Sequence, residues 1–331
     1  MPLSVAWVFS NPEDFQASLG KEIVRSLLVT GQGAFRARLT QIELNHLRLA
    51  AGEEELSRIA FVAVPADRVL VLFPIGDRPA LTCGGVQTRA GEIITIGQGQ
   101  RIHARTDGPC RWGSIQLSGD DLAGYGRTLT GAEFVVPPVA RWRPPRAGLR
   151  QLRHFHRAAI RAAEMRSRAL ADNEAAHGLK HQLIHALVEC LSARSVDEET
   201  EGACRHRDTL ARFEDLLDAE PLPGIAEIIV ALGTSHRMLR ECCKTHLGMG
   251  PERYRRLRGM LLVHRALRSG SPDTPSVSEL ARRYGLRDLS RFGANYRALY
   301  GELPSATSRD ALHPRSGSSH IPAAWRPRVK L

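Results

Sequence analysis

Two clusters of cationic and hydroxyl- or amide-bearing side chains near the C-terminal end carry the clearest chemistry in this sequence. Ser235, His236, Arg237, Arg240 and Lys244 form the first, and Arg287, Ser290, Arg291, Asn295 and Arg297 the second. Guanidinium and ammonium groups neutralise phosphates and donate hydrogen bonds to base edges. Held outward on a helix, such a face suits the major groove of DNA.

The surrounding residues predict helices that would hold both clusters outward. For the second cluster, Ser276 with Glu279 makes a capping box, and Leu280 and Tyr284 share one helical face. Ala281 stands four residues before Gly285. The small side chain permits a close helix crossing, and the glycine can take the left-handed conformation of a tight turn. Asp288 is a fresh N-cap for a helix from about Leu289 to Tyr300, with Phe292, Tyr296 and Leu299 inward. About fifty residues upstream the pattern repeats. Gly224 and Glu227 open a helix with Ile225, Ile228, Ile229 and Leu232 as its apolar stripe. Gly233-Thr234 turns the chain, Ser235 caps the next helix, and Met238, Leu239, Cys242 and Cys243 are expected to be buried. Pro251 starts a long helix, Glu252 to Ser269, that would act as a rigid spacer between two helix-turn-helix units.

From about Arg207 to Arg309 the chain resembles the DNA-binding domain of AraC/XylS-type transcriptional regulators. The most specific pieces are Leu247-Gly248-Met249-Gly250-Pro251-Glu252-Arg253-Tyr254 and the run from Phe292 through Tyr300-Gly301-Glu302-Leu303-Pro304. Ile229, Cys242-Cys243 and Gly293-Ala294 depart from the usual residue types of the family. The resemblance implies a sequence-specific DNA-binding regulator, with promoter DNA and RNA polymerase as partners. Arg237 and Arg240 match positions that face base edges in the family. An N-terminal cupin-like barrel that senses a small-molecule effector or dimerises is implied as well, followed by helices that mediate a homodimer.

Charge points to nucleic acid independently. The chain is +11, and Arg205 to Leu331 carries 22 Lys and Arg against 13 Asp and Glu, so most of the excess lies with the paired units. A length of 331 residues with 43% hydrophobic content fits two domains. No stretch approaches eighteen uninterrupted apolar residues, and Met1 to Gly20 lacks a basic start followed by an apolar run, so a cytoplasmic protein with no membrane segment is expected. The six cysteines lack C-x-x-C spacing and are expected to be reduced thiols.

Upstream the pattern changes to short strands: Ala34 to Leu39, Ile42 to Leu49, Ile59 to Val64, Val69 to Phe73, Ile93 to Ile96 and Trp112 to Leu117. They predict a small antiparallel barrel or jelly roll over about residues 20–120. Leu149, Leu152, Phe155 and Ile160, then Leu179, Leu183, Leu187 and Leu191, predict an antiparallel helical pair over about 148–192. The expected fold is therefore α+β. A sensing or dimerisation domain (1–192) carries the barrel and helical hairpin, a linker (193–207) follows, and an all-α double helix-turn-helix domain (208–310) ends in a disordered tail (311–331).

Three constellations invite another chemistry. His177, His181 and His185 with Glu189 have chelating helical spacing. His46 and His103 are too far apart in sequence for the cluster of a metal cupin. Cys242-Cys243 resembles the methyl-accepting cysteines of repair proteins with similar DNA-binding domains. The competing function is accordingly a cupin-type oxygenase or a cysteine methyl acceptor fused to DNA-binding helices. No catalytic residue, metal or cofactor is assigned, and core packing is the expected role of the cysteine pair.

Overall fold

The computed structural model describes residues 4–76, 81–131, 135–165, 173–192, 195–269 and 275–312. The N-terminal half contains β1 (Ser4–Phe9), α1 (Pro12–Ser18), β2 (Val24–Val29), β3 (Ala37–Leu44), β4 (Leu47–Glu54), β5 (Arg58–Ala63), β6 (Arg68–Pro74) and β7 (Leu81–Cys83). It continues with β8 (Val86–Thr88), β9 (Ile93–Ile96), β10 (Arg101–Thr106), β11 (Cys110–Ser118), α2 (Gly119–Thr130), β12 (Val139–Trp142), α3 (Arg146–Glu164), α4 (Asn173–Ser192) and β13 (Ser195–Glu198). The C-terminal helices are α5 (Glu201–Leu217), α6 (Ile225–Leu232), α7 (His236–Leu247), α8 (Pro251–Arg268), α9 (Val277–Arg283), α10 (Leu289–Tyr300) and α11 (Pro304–Leu312).

The strands build two antiparallel sheets, one ordered β1-β3-β4-β11-β6-β9-β12-β13 and the other β2-β5-β10-β7-β8. Among the described residues neither sheet closes on itself, so two stacked layers stand where a closed barrel was expected. Period-two alternation explains the layering. Leu70 and Leu72 of β6 face the second sheet, while Val69, Val71 and Phe73 face the helices. The expected strand Ile42 to Leu49 is instead a hairpin. Asn45 and His46 take φ of 45° and 71°, the left-handed pair that joins β3 and β4 in a two-residue turn.

A buried ion pair ties the two sheets together. Arg58 of β5 donates from Nε to Glu54 Oε2 at 2.9 Å, and Trp112 Nε1 donates to Glu54 Oε1 at 2.7 Å. Helices α3 and α4 cover the outer face of the eight-stranded sheet. Their Leu149, Leu152, Ile160, Leu183, Leu187 and Leu191 share one core with Val69, Val71 and Phe73, so both apolar stripes are used inside the chain.

The outer face of the five-stranded sheet is covered by the C-terminal helices. Leu28 and Ile59 belong to the core that holds Leu210, Phe213 and Tyr254. The expected linker over 193–207 contains structure at both ends. Ser195–Glu198 pairs with β12, and Thr200 caps α5 by accepting from Ala203 N at 3.3 Å. The polar composition of this segment suits an edge strand and a helix start as well as a coil, which is why composition alone suggested a linker. The tail expected over 311–331 lies, beyond the end of α11, outside the described residues.

Three buried histidines make the fold sensitive to acid. Burial holds His156 down at about 4, His246 at about 4 and His264 at about 3, so all three are neutral in the folded chain. Unfolding restores their ordinary affinity near 6.5, and the unfolded chain then binds protons that the folded chain refuses. Their contribution is complete above about pH 6.5 and declines as the pH falls toward 4, by about 1.4 kcal/mol per pH unit for each histidine. Chemical denaturation across this range should show that slope, and His156→Gln should flatten it by about one proton. An unchanged slope in the variant would place the acid sensitivity elsewhere.

Candidate nucleic-acid interface

The first unit is assembled by local signals. Glu227 Oε2 accepts from the backbone N–H of Gly224 at 2.9 Å, which starts α6. Gly233 ends it with φ of 62°, and Ser235 Oγ accepts from Met238 N at 3.1 Å to start α7. The second unit repeats the scheme. Ser276 and Glu279 form the expected capping box, Gly285 turns with φ of 71°, and Asp288 Oδ1 accepts from Arg291 N at 3.0 Å. Ala281 is fully buried, and Phe292 and Tyr296 anchor α10.

Helix α8 connects the units and is fastened to both. Toward the first, Arg255 donates from Nε to Pro223 O at 2.5 Å and from Nη2 to Leu222 O at 3.1 Å. Toward the second, a Cβ placed on Gly259 would lie 2.8 Å from Tyr284 O, so only glycine permits this approach. Tyr284 in turn donates to Glu220 Oε1 at 2.5 Å, and Leu222 N donates to Arg283 O at 3.2 Å. An 18-residue helix spans about 27 Å. Clamped in this way, it fixes the second unit relative to the first.

Most of the expected site residues lie outward. On α7, Arg237, Arg240 and Lys244 are exposed, as are Arg287, Ser290, Arg291 and Arg297 in the second unit, while Asn295 is half-buried. Among the described residues none of these cations has a carboxylate at ion-pairing distance, apart from any long-range attraction. Two residues are committed elsewhere. The Ser235 hydroxyl is held by its cap, and exposed His236 meets Glu252 at 2.7 Å from Nε2. That hydrogen bond holds the Glu252 carboxyl below its ordinary value.

Met238 was expected inside and is 41% exposed. It occupies the first turn of α7, next to Arg237 in the chain, and is open to solvent. Helical spacing gave no means of separating it from Leu239, which is fully buried. An exposed thioether there can make the apolar contact that thymine methyls accept. Gly293 and Ala294 lie on the corresponding face of α10, and a Cβ on Gly293 would meet nothing within 4 Å. Core packing therefore does not require this glycine.

The residues that invited other chemistry sit in ordinary surroundings. Cys242 and Cys243 are fully buried on the inner face of α7. Burial pushes the Cys242 thiol up to about 11 and the Cys243 thiol higher still, which suppresses the nucleophilic thiolate. His46 lies in the β3–β4 turn, whereas His103 of β10 faces α5 and contacts Glu214 at 2.8 Å. His177 and His181 approach each other at 3.0 Å between their Nε2 atoms.

Comparison with known proteins bears on this domain. A family model described as a helix-turn-helix domain matches residues 229–310. A Pseudomonas putida protein, XylDLEGF operon transcriptional activator 3, is 31% identical over 125 residues, which cover 37% of this chain and 37% of that protein. The XylDLEGF operon transcriptional activator of the same organism is 39% identical over 75 residues, or 23% of each chain. The C-terminal domain is an AraC/XylS-type helix-turn-helix domain. Matched segments thus span little more than a third of the length of these relatives at most. Among solved structures, the AraC-like transcriptional activator CuxR aligns at 16% identity with a TM-score of 0.39, covering 74% of this chain and 89% of that one. The AraC/XylS-type domain here is the part that carries every exposed cation of the two recognition helices.

Proposed function

We propose that this chain is a one-component, sequence-specific transcriptional regulator that binds promoter DNA through both helix-turn-helix units. The arrangement that supports this most is a single one: α7 and α10 present unpaired cations outward on a domain whose spacer α8 is fastened to both units. In this reading residues 208–310 bind DNA and contact RNA polymerase. Residues 1–192 form a cupin-like sensing and dimerisation domain, with the two open sheets in place of a barrel and a small molecule as effector. The chain works in the cytoplasm as a homodimer. Because the apolar stripes of α3 and α4 are already buried, the dimer would use their outer faces. Among the described residues no helix is long and apolar enough to cross a membrane.

The units divide the work. Arg237, Met238 and Arg240 give α7 two forks and an apolar tip for base edges, so the first unit selects the sequence. On α10 the Gly293-Ala294 gap leaves Arg291 and Arg297, with Arg287 in the turn before it, to hold phosphates and Ser290 and Asn295 as weaker donors, so the second unit mainly clamps the backbone.

Sequencing the genomic fragments captured by the purified full-length chain should return an enriched motif, with most of its information in one half. Random fragments without a motif would contradict sequence-specific regulation. Arg240→Ala should cost about 1–3 kcal/mol on the preferred site and relax one or two bases. Arg291→Ala should weaken specific and random DNA alike and lower the salt slope by about one. Equal behaviour of the two variants would refute the division between reader and clamp.

A further inference from the structure

On the side of the N-terminal domain away from the DNA-binding helices, α3 and strands β3, β4, β6 and β11 of the eight-stranded sheet line an open cavity of about 460 Å³. Its walls carry two rows of arginines. Arg153, Arg157 and Arg161 follow one another at every fourth residue of α3. Facing them, Arg38 of β3 and Arg111 of β11 flank Glu53 of β4 in direct cross-strand register.

The charges of this cavity are not balanced from within. Like charges four apart on a helix repel, and across the sheet Arg38 and Arg111 share the single carboxylate of Glu53 between them. Only Glu53 and Glu164 oppose the five arginines. Glu53 is shared, lying 3.8 Å from Arg111 while paired across the strand with Arg38. Glu164 accepts a hydrogen bond from Thr40 at 3.1 Å. Arg153 donates from Nη2 to Pro74 O at 2.9 Å, which holds the inner end of the helical row in place. Among the described residues Arg38, Arg157 and Arg161 have no carboxylate at ion-pairing distance. Phe73 and Ile160 form an apolar floor, and buried His156 stands behind it as a neutral ring, its Nε2 3.1 Å from Ala50 O.

We infer that this cavity binds a small molecule carrying at least two negative charges on phosphate or carboxylate groups. Three uncommitted guanidiniums on opposing walls offer paired N–H forks that match those oxygens, and one charge would leave the cavity cationic. The volume lies within the range of ordinary small-molecule sites, about 300–1,000 Å³. The apolar floor keeps water from one side of the ligand and so strengthens the contacts on the other. This gives a ligand class to the sensing domain proposed above, and it rests on that reading only for any effect on DNA binding.

The test is calorimetric titration of the full-length chain with pyrophosphate and, separately, with succinate. One-to-one binding of at least one of them, with a Kd below about 1 mM, is expected. Binding of pyrophosphate alone assigns phosphate groups, and binding of succinate alone assigns carboxylates. The double variant Arg157→Gln/Arg161→Gln should weaken that binding at least tenfold. Arg150→Gln, an exposed arginine on the same helix outside the cavity, should leave it unchanged. Binding of neither probe, or an equal loss in Arg150→Gln, would overturn the site. Binding that persists without changing affinity for captured DNA would uphold the site and refute its sensing role alone.

Discussion

Glu214 of α5 holds a carboxylate out of water at the junction of both halves of the molecule. It is 1% exposed and meets His103 Nε2 of β10 at 2.8 Å, accepts from the Tyr254 hydroxyl of α8, and faces Arg258 Nε at 3.4 Å. Burial alone would raise its pKa. Arg258, His103 and Tyr254 outweigh that and hold it below the ordinary carboxylate value. A buried charge with three partners is directional in a way that apolar contact is not, because losing one partner leaves the others unsatisfied, typically at about 3–5 kcal/mol. This one group therefore sets the angle at which α5 and α8 lie on the five-stranded sheet. Through α8 it also sets the position of both recognition helices.

Weaker contacts surround that centre. Arg101 meets Asp215 at 2.6 Å, Arg265 donates to Gln16 at 2.6 Å, and Arg268 meets Glu13 at 3.2 Å. These partly exposed groups are screened by water and each contributes little, but they share one geometry with Glu214. The DNA-binding domain is thus joined to the N-terminal half by these polar groups as well as by the apolar core that Leu28 and Ile59 share with Leu210, Phe213 and Tyr254. The arginine-lined cavity lies across the eight-stranded sheet from this junction, joined to it by the Glu54–Arg58 pair between the sheets.

How much was legible in the sequence follows from how local each signal is. Caps and turns act within four residues, so Ser276, Glu279, Gly233, Gly285 and Asp288 announced both units nearly to the residue. Strand existence was legible for β6 and β9, whose apolar runs are buried on both faces. Pairing is not local, and nothing in the run Ile42 to Leu49 separates a continuous strand from a hairpin except the tolerance of Asn45 and His46 for positive φ. His103 and Glu214 lie 111 residues apart, and the bond between them has no sequence signature at all. For the same reason the arginines of α3 carry no sequence signal for a cavity, since the two arginines opposite them stand on β3 and β11, far away in the chain.

Helix α8 holds the reading unit and the clamping unit at a fixed spacing. Recognition helices set in successive major grooves on one DNA face require half-elements about one helical turn, ~10.5 base pairs, apart. The most direct measurement is the affinity of the full-length chain for its captured site before and after five base pairs are inserted between the half-elements. Half a turn carries the second half-element to the opposite face, out of reach of the weaker donors Ser290 and Asn295 of α10, and affinity should fall to that of a site whose second half-element is scrambled. Unchanged affinity would contradict the rigid spacer and with it the account of how this domain reads DNA.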